Sequence, residues 1–138
     1  MAACVSCGGA PETVAGSWTL DPTAFVEEAI PVMLDSGRIP RGAEKLAEAQ
    51  LGKVRMQIDL RTDGTFVCDM GIGSTARYEG TWVQNGQNIS LVQTLENGES
   101  KDDQMSGKCN GDSLRLVHDE EGMSMPYVLR RSAAASPR

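Results

Sequence analysis

After Gly52 the hydrophobic repeat of the chain changes from about 3.6 residues to about 2, and no other feature limits the fold as strongly. Lys53-Val54-Arg55-Met56-Gln57-Ile58-Asp59-Leu60 alternates without exception, the pattern of a strand with one wet face and one buried face. Asp63-Gly64, Asn85-Gly86, Asn97-Gly98 and Asn110-Gly111 punctuate the rest of the chain, and each pair takes the positive dihedrals of a tight hairpin at low cost. Gly71-Ile72-Gly73 supplies a further turn. The intervening segments place Phe66, Cys68 and Met70 on one face, then Ala76, Tyr78, Gly80 and Trp82, then Ile89, Leu91, Gln93 and Leu95. Met105, Gly107 and Cys109 form the next inner row, followed by Leu114, Leu116 and His118, and finally by Met125, Tyr127, Leu129 and Arg131. Pro126 fits the outward, unbonded side of that last strand or a bulge.

Upstream of Gly52 the pattern is different. Val14 to Leu20 reads as a first strand with Gly16, Trp18 and Leu20 on one face. Asp21-Pro22 is a helix start, the carboxylate capping free amides and the proline suiting the first helical position. Phe25, Val26, Ala29, Ile30, Met33 and Leu34 then recur at helical spacing to about Leu34, with Pro31 predicting a kink or a stop at Ile30. A second helix is expected from Arg41 to Leu51, with Ala43, Leu46, Ala47 and Leu51 on one side and Gly52 as its C-terminal cap.

The sum is a mainly β chain with eight strands and a helical hairpin inserted between strands one and two. An antiparallel meander of this length closes on itself, because closure removes exposed strand edges. The expected architecture is an eight-stranded up-and-down antiparallel barrel spanning residues 14–131, flanked by flexible tails at 1–13 and 132–138. An interior of that size is filled by side chains or holds one small ligand.

This order of parts resembles the calycin superfamily: the lipocalins, the fatty-acid-binding proteins and their bacterial lipocalin-like relatives. The matching residues are Gly16-Ser17-Trp18 on the first strand and Arg130 or Arg131 on the last, with the alternation favouring Arg131 on the inner side. The resemblance implies a structural clasp in which Trp18 lies across one end of the barrel under a cationic guanidinium, and Gly16 allows the close approach. It also implies that the helical hairpin is a lid over the opposite mouth. Two features of those families are missing: an Arg-x-Tyr carboxylate clamp in the last strands, and the extended loop motif of classical lipocalins.

Chemistry is sparsely signalled. Thirteen basic against nineteen acidic residues give a net charge of -6, which repels phosphate backbones and excludes nucleic acid as a partner. No stretch approaches the roughly 18 apolar residues that span a bilayer, so the chain as given reads as soluble. Small residues running into Cys4 also fit a lipid-anchor site left after signal removal, so the compartment stays open between cytoplasm and cell envelope.

Cys4-x-x-Cys7 is a lone pair in a tail, short of the four ligands of a zinc site. Cys68 and Cys109 fall on inner faces, either as buried thiols or as a disulfide across the lumen. His118 is the single histidine and has no triad or zinc partners in sequence, so no catalytic residue, metal or cofactor is expected. Asp102-Asp103 and Asp119-Glu120-Glu121 read as solvated surface carboxylates. Met56, Met70 and Met105 are adaptable wall residues for an apolar cavity, with Tyr78, Gln93, His118 and Tyr127 as polar groups able to orient a ligand. The expected function is non-enzymatic binding of a small apolar or amphipathic molecule. Its rivals are a ligand-free structural barrel, lipid-anchored if Cys4 is modified, and an enzyme using His118 with an inner cysteine or tyrosine. The oligomeric state has no sequence signal.

Overall fold

A computed structural model describes residues 14–120 and 122–132; the expected N-terminal tail, with Cys4 and Cys7, the turn residue Glu121 and residues 133–138 lie outside the described residues, whereas Ser132, expected in the C-terminal tail, donates its amide to the Ser17 carbonyl at 2.9 Å. The strands are β1 (Gly16–Leu20), β2 (Arg55–Leu60), β3 (Thr65–Ile72), β4 (Ser74–Asn85), β5 (Asn88–Glu96), β6 (Glu99–Asn110), β7 (Ser113–Glu120) and β8 (Met123–Arg131), with helices α1 (Pro22–Asp35) and α2 (Glu44–Leu51) between β1 and β2. Each strand pairs antiparallel with the next, and β8 returns to β1, so the sheet is a closed up-and-down barrel.

Closure rests on a short ladder, Trp18 opposite Arg131, Thr19 opposite Arg130 and Leu20 opposite Leu129. At this end Trp18 is fully buried, and its Nε1 donates to the Val14 carbonyl at 2.8 Å. The Arg131 guanidinium lies 4.4 Å from the indole centroid and donates to the Ala15 carbonyl. Gly16 has φ +131°, a conformation that favours glycine, and a Cβ there would stand 3.1 Å from Arg131 Nη1 and press on the guanidinium. Val14, also fully buried, donates its amide to Gln84 Oε1 and draws the incoming chain across the same end.

The first helix has its expected span, without the stop at Ile30, and the second differs from expectation in two respects. Asp21 caps α1 through a bond from the Ala24 amide, but the helix runs past Pro31 to Asp35. Pro31 faces solvent, and the Ser36 amide reaches the Val32 carbonyl at 3.0 Å, so the turns after the proline remain bonded. α2 begins at Glu44 rather than Arg41, because Gly42 adopts φ +97°, outside any right-handed helix. Leu46 is consequently not part of a buried stripe: Ala47 and Leu51 share the inward side, while Leu46, about 100° away on the helix, is exposed. Gly52 does cap α2, in the right-handed region.

α1 packs on β8. Phe25 stacks on Tyr127 with ring centroids 5.3 Å apart, and Glu28 meets Arg115 of β7 at 2.8 Å. β8 is accordingly buried on both of its faces from Met125 to Leu129, including Pro126, which sits opposite Val117. Among the described residues no helix is long and apolar enough to cross a membrane.

Candidate functional site

The barrel interior is not filled. A cavity of about 390 Å³ opens toward the end where β5, β7 and α1 finish, opposite the Trp18 clasp. Its deeper wall is apolar, with Ile58, Phe66, Cys68, Met70, Leu91 and Met105. Tyr78, Gln93, His118 and Tyr127 join that wall, so six of the seven ligand-facing residues expected from sequence come together. Met56 does not. It is 2% exposed and belongs to the packed core, against which Met33 of α1 and Leu51 of α2 also pack. Among the described residues, none that lines the cavity comes from either helix. The hairpin touches the cavity wall through Phe25, whose ring stacks on that of Tyr127.

The mouth carries a set of charged residues that were not expected to face the lumen. Glu96, Lys101, Asp103 and Glu120 all line the cavity. Asp103 belongs to the same alternate row as Met105, Gly107 and Cys109, and Glu120 to that of Leu116 and His118. Period two carried one step further along each row reaches both, Asp103 lying within β6 and Glu120 at the end of β7. Glu96 is different. The β4–β5 register shifts between Glu79 and Gly80, so Gly80 pairs with Gln93 but Tyr78 pairs with Glu96. This bulge turns Leu95 away from the inner row where strict period two would put it, and sends Glu96 to the lumen.

Four of these groups form one hydrogen-bonded chain. The Tyr127 hydroxyl donates to Glu120 Oε2 at 2.5 Å, His118 Nδ1 lies 2.9 Å from the same oxygen, and His118 Nε2 lies 2.7 Å from Asp103 Oδ2. A neutral imidazole offers one N–H and one lone pair, and a lone pair facing a carboxylate repels it; an imidazolium donates to both. Burial works against the charged ring, but the bonds and charges of Glu120 and Asp103 outweigh it and raise the His118 pKa. Burial, reinforced by Glu120, likewise pushes the Tyr127 hydroxyl well above its ordinary range.

The raised histidine pKa links protonation to stability. A histidine shifted this way stabilises the fold fully below its ordinary value of about 6.5, and that contribution disappears as pH rises through the folded value. The stability gap between wild type and His118→Gln is therefore expected to be widest near pH 6 and to narrow toward about pH 9. Urea midpoints of both proteins at the two pH values check this; a gap that widens with pH would contradict it.

Cys68 is a buried free thiol, so it is not bridged to Cys109. Burial, then the Asp69 charge, pushes its pKa up to about 12, leaving the sulfur an apolar wall atom rather than a nucleophile. Cys109 lies in the core outside the cavity wall, its Sγ 3.6 Å from the Gly111 carbonyl. Among the described residues no group of three or more His, Cys, Asp or Glu side chains is arranged to hold a metal ion. One polar atom inside the cavity stands out: Gln93 Nε2 is sealed from solvent and has no hydrogen-bond partner among the described residues. An unpaired buried amide donor costs about 1–3 kcal/mol, which a bound acceptor would recover. Compared with known proteins, the chain matches no family model and no curated protein sequence.

Proposed function

We propose that this protein is a lipocalin-like barrel of the calycin type that binds one small apolar or amphipathic molecule in its lumen without transforming it. The observation that carries this is the cavity of about 390 Å³, within the range of roughly 300–1,000 Å³ typical of small-ligand sites, with an apolar wall and an unpartnered donor at Gln93. The Trp18–Arg131 clasp at the closed end supports the calycin assignment. Binding is favoured over catalysis because the groups able to react are already committed. His118 is engaged at both ring nitrogens, the Tyr127 hydroxyl is held by Glu120, and the Cys68 thiol stays protonated near neutral pH.

Titration with the neutral fluorophore Nile red tests this. The expected result is a saturable blue-shifted emission. Met105→Trp, which puts an indole into the half-buried wall position, should weaken uptake at least about tenfold, or about 1.4 kcal/mol, while the fold is retained by circular dichroism. A folded wild-type protein that takes up no probe would remove the proposal.

A further inference from the structure

We propose that the cavity selects ligands whose apolar body ends in a cationic, amine-type head seated at the Glu96–Glu120 mouth, and that it discriminates against fatty-acid-type carboxylates. The inference rests on the lumen being a ligand site and names the class of ligand.

The charges around the opening decide the sign. Among the described residues, three carboxylates line the cavity, Glu96, Asp103 and Glu120, against one ammonium, Lys101, and one imidazole, His118. With His118 protonated the set carries one net negative charge, and with it neutral, two. Both cationic groups are already paired, Lys101 Nζ to Glu96 Oε1 at 3.0 Å and His118 to Asp103 and Glu120 at 2.7 and 2.9 Å. A carboxylate head would thus enter a negative opening and have to take Lys101 from Glu96, leaving that acid uncompensated. Among the described residues no arginine lines the cavity to offer a bidentate fork.

An ammonium head meets the opposite situation. Glu96 bonds through Oε1 only and Glu120 through Oε2 only, so Glu96 Oε2 and Glu120 Oε1 accept nothing from the described residues. Tyr78, paired with Glu96 across the neighbouring strand, adds an aromatic face and a hydroxyl that makes no bond within the described residues. Deeper in, the unpartnered Gln93 Nε2 requires an acceptor, so the apolar body is expected to carry an oxygen. The acidic mouth and the orphaned donor are independent features of one cavity, and together they specify both ends of the ligand.

Two dansyl probes of equal length separate the possibilities, dansyl-cadaverine with a terminal ammonium and dansyl-6-aminohexanoate with a terminal carboxylate. Both carry sulfonyl oxygens for Gln93. At neutral pH and low salt the ammonium probe should bind at least about tenfold more tightly, and the preference should shrink by more than half on a logarithmic scale in Glu96→Gln/Glu120→Gln. Equal affinity, or tighter binding of the carboxylate, overturns the inference while Nile red uptake leaves the binding proposal standing. A preference that survives the double variant in a folded protein also overturns it, because the net charge of -6 would then act from the whole surface rather than the mouth. Uptake of none of the three probes removes both proposals.

Discussion

Trp18→Ala should lower the free energy of unfolding by about 3–5 kcal/mol, the range for deleting a large buried aromatic from a core. Domains of this size have only about 5–15 kcal/mol in total, so the variant is expected to be partly unfolded at moderate temperature. The cost has three sources. The indole has no exposure, so its full apolar area returns to a void. The Val14 carbonyl loses the 2.8 Å bond from Nε1 in a buried setting. Arg131 loses the ring beneath its guanidinium at the point where β1 and β8 close the barrel over a short ladder. Urea denaturation followed by far-ultraviolet circular dichroism measures the loss, and a change below about 1 kcal/mol would deny Trp18 its role as clasp. Trp82→Ala is the internal comparison. Its indole donates to the Arg61 carbonyl at 2.9 Å but is only partly buried, so it should cost clearly less although it too follows a Gly-x-Trp pattern.

Gly80→Ala should be at least as damaging, through backbone rather than packing. A Cβ at this position would lie 1.9 Å from the Val92 carbonyl oxygen, 2.8 Å from Phe66 Cε2 and 2.9 Å from Gln93 Cα. Phe66 can rotate, but the carbonyl and the Cα belong to the paired strand, so β4 and β5 must separate. The expected loss is about 3 kcal/mol or more, at the upper end for overpacked sites. Function should suffer with stability, because this bulge turns Glu96 toward the cavity. If the barrel persists with altered register, Nile red affinity should fall even where the circular dichroism spectrum is kept. Unchanged stability together with unchanged uptake would show that the strands separate there without penalty.

The architecture was legible because its signals are local. Strict alternation from Lys53 to Leu60, and the Asn-Gly and Asp-Gly pairs downstream of it, each constrain the chain over a few residues, and summed along the sequence they count strands. Asp21-Pro22 placed the start of α1 to the residue for the same reason. The errors fell where local propensity gave way to context. Gly42 in a left-handed conformation delayed α2, and β7 runs on to Glu120, into the acidic run expected to be solvated.

The wall of the cavity divides along the same line. Met70, Tyr78, Gln93, Met105, His118 and Tyr127 follow from side-chain parity, since residues two apart on a strand share a face whatever the rest of the molecule does. Of the acidic mouth, Asp103 and Glu120 lie on those same rows, but Glu96 does not. Glu96 reaches the lumen only because a bulge between paired strands reverses parity, and a bulge reports a close approach of two backbones, Gly80 to Val92, that no stretch of one strand encodes. Asp103, His118 and Glu120 become one charged group only when β6 and β7 are brought into register, and Tyr127 joins them from β8. Composition and periodicity therefore determined a closed barrel with an apolar interior, while the interior's electrostatic preference arose from tertiary pairing, because charge acts through distance in space and the alternating pattern records only which face a residue is on.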